Sequence, residues 1–292
     1  MSVKKPKQLP DSEIKALIDL IANEDNSNAE KLTARLAEII RCDPERVDTI
    51  IGREFHDTPD CVGRLLMAVR AEMILQMFRN IFTRAGEPDL EEGLFLLSKF
   101  FEPRLSLAEF TGKIDSLAEF TAGYAKPATD LASFLALFNK ALFEEKGFTV
   151  APEGRALPQA MYLSSVLESK QGTSLALSSQ FILVAEKMGI PSYGTHLPGM
   201  VIVQLHTPGN RIFIAPSLKG KIISRHDCLR YVRSRMMAWE DYFLDPADSA
   251  YMLSLTIGNL IFQHNRLGNE DTVEHLKRFL GVIQTRAERT VS

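Results

Sequence analysis

The stretch that decides the fold runs from Gly172 to Ser217: GTSLALSSQFILVAEKMGIPSYGTHLPGMVIVQLHTPGNRIFIAPS. Gly172-Thr173-Ser174 opens an apolar helical run that ends at Gly189-Ile190-Pro191, glycine then proline being the ordinary way to stop a helix. Pro198-Gly199 leads into Met200–Leu205, a run that alternates loosely as a strand does. Thr207-Pro208-Gly209-Asn210 is a turn cluster, and Arg211–Ala215 returns as the second arm of a hairpin before Pro216.

Working outward, Ser224 is positioned to cap a helix through about Arg235. From Asp248 the chain is helical again, with Met252, Leu255, Leu260 and Ile261, then Val273, Leu276, Phe279 and Ile283, at helical spacing. Upstream, Asp89 with Glu92 and Ser106 with Glu109 have the spacing of capping boxes, and each opens a helix. Gly147 ends another, because only glycine enters the left-handed conformation without strain.

The first eighty-odd residues read as helix. Ile14, Leu17, Ile18 and Ile21 follow Ser12, taken as the N-cap; Asn23–Asn28 is a polar break; Leu32, Leu36, Ile39 and Ile40 form a second stripe. Asp43-Pro44 starts a third helix, proline at the first position giving up an N–H that has no partner there anyway. A fourth follows Asp60. Paired helices of this style are expected to form either a HEAT-like unit or a plain bundle.

The segments Asp89–Ser98, Leu117-Ala118, Phe138–Phe148 and Met161–Gly172, followed by the helix and hairpin above, resemble the SirB-type branch of the transglutaminase-like superfamily over roughly residues 86–235. The resemblance implies a cysteine-protease-type fold, in which a Cys starts the helix, a His starts one strand and an Asp ends the next. Those places hold Ser174, Met200 and Ala215 here. Ser174 meets the spacing of the family's nucleophile, two residues after Gly172 and fifteen before Gly189. The chemistry explains the layout: a thiol at a helix N-terminus is favoured as thiolate by the dipole and free N–H groups. The His takes a proton, and the Asp orients the His.

Against that chemistry the triad is degenerate. A serine hydroxyl needs a base within reach, the Met200 thioether accepts no proton at neutral pH, and Ala215 has no polar atom to orient anything. SirB-type proteins often depart from cysteine at the nucleophile place, so Met200 and Ala215 weigh more than Ser174. A catalytically inactive protein-binding or scaffold module is therefore the expected function, with a protein partner. The alternative is a hydrolase or acyltransferase with a rearranged site, using Ser174 and His196, four positions upstream of Met200. A third reading gives partner binding to the N-terminal helices. His206 shares strand parity with Met200 but stands about 20 Å away at about 3.3 Å per residue.

The expected architecture is α+β and mostly helical. It comprises an N-terminal helical region at 1–85, a transglutaminase-like domain with a small antiparallel sheet at 86–237, and a helical pair at 238–292, a place where this family often carries a tetratricopeptide-like tail. Six histidines and three cysteines show no metal-ligand spacing, and no Gly-rich phosphate loop is present, so no metal or cofactor is expected. With 34 basic and 37 acidic residues, no net field draws the chain to nucleic acid or membrane. Arg225, Arg230, Arg233 and Arg235, with Lys219 and Lys221, read as a solvated face rather than a phosphate site, and His226-Asp227-Cys228 as structural. Odd, scattered cysteines and the lack of an apolar run behind Lys4, Lys5 and Lys7 suggest a cytoplasmic protein.

Overall fold

The computed structural model describes residues 9–22, 29–55, 57–152, 158–207 and 210–291. These form two compact units, residues 1–77 and 78–292. The polar break at Asn23–Asn28 and the turn centre Pro208-Gly209 lie outside the described residues. The fold is mostly helical with a small antiparallel sheet, and no described helix is long and apolar enough to cross a membrane.

In the first unit, α1 (Asp11–Ala22), α2 (Ala29–Cys42) and α3 (Pro44–Glu54) pack around Ile14, Ile18, Leu36, Ile40, Val47 and Ile50, closed by Val62, Leu66 and Val69 of α4 (Asp60–Thr83). Helix α1 begins two residues earlier than Ser12 as cap would have it: Asp11 is already helical, and the Pro10 carbonyl accepts from the amides of Glu13 and Ile14. Asp43 caps α3 as expected, accepting from the Arg46 amide at 3.2 Å.

The second unit runs through α5 (Leu90–Phe101), α6 (Leu107–Ala125) and α7 (Leu131–Asn139), the last continuing as a π-helical turn over Lys140–Glu145. Asp89 and Ser106 cap α5 and α6 through the Glu92 and Glu109 amides. The return bonds of a full capping box do not form, since Glu92 binds Arg84 and Glu109 binds Lys113 instead. Then come β1 (Thr149–Val150), α8 (Leu163–Ser169) and β2 (Gln171–Gly172), with β1 parallel to β2.

Helix α9 (Ser174–Lys187) follows, buried from Leu175 to Ala185. The sheet is β3 (Ser192–Leu197), β4 (Met200–Thr207), β5 (Asn210–Ala215) and β6 (Lys221–Ile223), antiparallel in that order. After it come α10 (Arg225–Ser234), α11 (Ser249–Arg266) and α12 (Glu270–Val291). Pro198-Gly199 makes the tight turn between the paired residues Leu197 and Met200, and Gly199 takes φ +79°, which suits glycine.

The sheet has two differently clothed faces. Leu197, Ile202, Phe213 and Ala215 share one apolar cluster with Cys228 and Val232 of α10 and with Phe243 and Leu244, and Met200 packs against it. Strand alternation puts Val201, Val203 and Ile214 on the other face. There Gly194 lies so close to α11 that a Cβ would fall 2.3 Å from the Met252 sulfur.

Candidate functional site

Thr173 caps α9 by accepting from the Ala176 amide at 3.3 Å, which makes Ser174 the first residue of a helix otherwise sunk in the core. The half-buried Ser174 is tied to the main chain of β4: its Oγ accepts from the Val201 amide at 3.4 Å. One turn on, the buried Ser178 hydroxyl donates to the Val201 carbonyl at 2.9 Å. Two serines on one face of α9 thus hold both polar groups of a single strand residue. Among the described residues no histidine, lysine or carboxylate bonds the Ser174 hydroxyl.

Val201 directly follows Met200, so the helix start and the strand start meet at one end of the sheet, as the family layout implies. Ala215 ends β5 one residue beyond the Val203–Ile214 pair and is fully buried. Met200 and Ala215 both belong to the cluster against α10. Alternation therefore turns their side chains away from the face that carries Val201. Ser174 thus meets the start of β4, while Met200 and Ala215 take part in packing against α10.

His196 is a strand residue of β3 paired with Val201. What looks like a loop in isolation is held as a strand by β4 on one side and by a bridge from Gly194 to Ala247. Its Nδ1 lies 2.8 Å from the Tyr251 hydroxyl of α11, and the rings are 5.8 Å apart. Burial pushes the imidazole pKa below its usual value, which favours the neutral ring. The residue that sequence reasoning missed is thus Tyr251, fifty-five positions downstream, where no local signal points back to His196.

The remaining candidates take structural places. His206 bonds Gln204 Oε1 at 3.0 Å and packs on the Tyr193 ring at 4.6 Å. Asp227 completes a capping box with Ser224, whose hydroxyl and amide, with Arg230, hold its carboxyl well below the ordinary range. Cys228 is buried, and desolvation pushes its thiol up to about 11, so no thiolate is available there. Of the basic stretch, Arg225 pairs with Asp241 at 2.6 Å, Arg230 pairs with Asp227, and Arg235 lies over the Tyr231 ring at 5.4 Å. Among the described residues no group of three or more His, Cys, Asp or Glu could hold a metal ion.

A helix N-terminus set against the first residues of an antiparallel strand, after a glycine and before a Pro-Gly turn, defines a transglutaminase-like core. The chain belongs to the transglutaminase-like superfamily, whose family model matches residues 108–256, just over half of the chain. Within it the relatives are SirB-type. A UPF0162 protein of Pasteurella multocida is 27% identical over 42% of this chain and 46% of its own length. Protein SirB1 of Salmonella typhimurium is 23% identical over 44% and 48%, and a UPF0162 protein of Xylella fastidiosa 22% identical over 71% and 75%. The chain thus spans about half the length of the Pasteurella and Salmonella relatives. No solved structure matches it significantly.

Proposed function

We propose that this chain is a catalytically inactive transglutaminase-like protein that works by binding a protein partner, as a scaffold or regulatory module in the cytoplasm. The observation that carries the reading is the surroundings of Ser174. Its oxygen accepts a main-chain N–H, and no described side chain is bonded to it as a base. Acyl transfer needs a group that takes the nucleophile's proton as the bond to carbonyl carbon forms. Loss of one triad member costs orders of magnitude in rate, and here the His and Asp places hold a thioether and a methyl group.

What persists is the frame: the cap at Thr173, the Pro198-Gly199 turn and the sheet against α9. A preserved fold with its proton-transfer groups replaced suits recognition rather than turnover. Exposure of the chain to a fluorophosphonate probe, followed by peptide mass mapping, is expected to leave Ser174 unlabelled. Stoichiometric labelling at Ser174 would overturn the reading.

A further inference from the structure

A cavity of about 540 Å³ opens beside the end of β3, bordered by the His196–Tyr251 contact. Its wall includes His196, Tyr242, Phe243 and Tyr251, together with Asp245 and Asp248. Among the described residues no lysine or arginine lines it. Two guanidiniums of α10 and its end are engaged elsewhere, Arg225 with Asp241 and Arg235 on the Tyr231 ring.

The wall is held in place before any ligand arrives. The Ala247 amide donates to the Gly194 carbonyl at 2.8 Å, pinning the Asp245–Asp248 segment to β3. Asp248 caps α11 by accepting from the Tyr251 amide at 2.7 Å, and Tyr251 reaches His196 through its hydroxyl. Tyr242 stands on a 3-10 turn with its ring 4.7 Å from that of Phe243, and is 64% exposed. Asp245 is exposed; its amide donates to the Tyr242 carbonyl at 3.0 Å, while its carboxylate has no hydrogen-bond or ion-pair partner among the described residues.

Among the described lining residues, the carboxylates of Asp245 and Asp248 and the rings of Tyr242, Phe243 and Tyr251 make a concave surface that favours positive charge. Aromatic faces attract an organic cation through the ring quadrupole, and carboxylates add a Coulomb term. The one ionisable base in the wall does not compete, since burial keeps the His196 ring toward its neutral form. Burial and the neighbouring Tyr242 phenol likewise push the Tyr251 hydroxyl up, so it stays a neutral donor.

We propose that this cavity is a binding site for an organic cation of the alkylammonium or guanidinium class, held by Tyr242, Phe243 and Tyr251 against Asp245 and Asp248. The site is independent of Ser174: the inactive reading stands or falls on labelling, and this one on cation binding.

The test is calorimetric titration of the full chain with choline, with butylguanidinium and with 3,3-dimethyl-1-butanol, the neutral carbon isostere of choline. At least one cation is expected to bind saturably with a Kd of about 1 mM or lower, and the isostere at least about 10-fold more weakly. The better cation identifies the subclass. Asp245→Asn and Tyr242→Ala alter exposed side chains and are expected to keep the wild-type melting temperature while weakening binding by about 5-fold each. Absence of saturable binding by both cations, equal binding of the isostere, or unchanged affinity in both variants would overturn the proposal.

Discussion

The Ser174 hydroxyl oxygen lies 3.4 Å from the Val201 amide nitrogen and accepts its hydrogen, so the residue at the nucleophile place serves as a helix-to-strand tie. The tie is doubled by Ser178, whose hydroxyl donates to the carbonyl of the same residue at 2.9 Å. Ser178 is fully buried, its bond is shorter, and removing it leaves part of a buried carbonyl's capacity unmet. Ser178→Ala is therefore expected to cost about 1–2 kcal/mol by urea denaturation, against about 0.5 kcal/mol or less for Ser174→Ala. Equal costs would show that the two bonds do not differ as their geometry implies.

Ala215, at the place the family resemblance gives to an Asp, is a core residue. It is fully buried among Ile202, Phe213, Cys228 and Val232. Ala215→Asp alone places a carboxyl there without a partner, and is expected to lower stability by about 3 kcal/mol or more. Thermal denaturation checks it. A fully stable variant would mean that position 215 still opens onto a polar cleft.

At the opposite end of α9, desolvation and the nearby carboxylates of Asp89, Glu87 and Glu91 raise Glu186 to about 7. Between the ordinary value of 4.5 and about 7 the folded state holds a proton that the unfolded chain has lost. Stability therefore falls as pH rises through that window. Glu186 is partly solvent-exposed, so screening reduces the effect to about 1 kcal/mol. Glu186→Gln is expected to match wild type at pH 4 and to exceed it by that amount at pH 8. Denaturant midpoints at the two pH values decide it; a variant no more stable than wild type at pH 8 would refute it.

Much of this architecture is legible in the sequence because it is local. Asp43, Asp89, Ser106 and Ser224 cap helices where their spacing to the following residues predicts, and Met200 and Arg211 start runs that do form strands. Helix α1 starts two residues before the place that Ser12 as cap implies, because the Pro10 carbonyl takes the first helical bonds and both Asp11 and Ser12 lie inside the first turn. Strand β3 was not legible. Ser192-Tyr-Gly-Thr-His-Leu has weak alternation and a glycine, and its extended form depends on β4 and on the close approach of α11 at Gly194. Sequence spacing located Ser174, Met200 and Ala215 along the chain. It did not reveal which face of the sheet Met200 and Ala215 occupy, because that depends on α10 packing from one side and on the register with β3 and β5. The His196–Tyr251 contact, joining β3 to α11, lies beyond any local pattern.

The most direct measurement of the central claim is the hydrolysis rate of an activated ester, p-nitrophenyl acetate, by the wild-type chain, Ser174→Ala and His196→Ala at equal concentration across pH 6–9. If Ser174 has no base, all three proteins give the same rate, with no bell-shaped or sigmoid dependence belonging to Ser174. A wild-type rate that exceeds Ser174→Ala about 100-fold or more, the scale of one general base, would contradict the account.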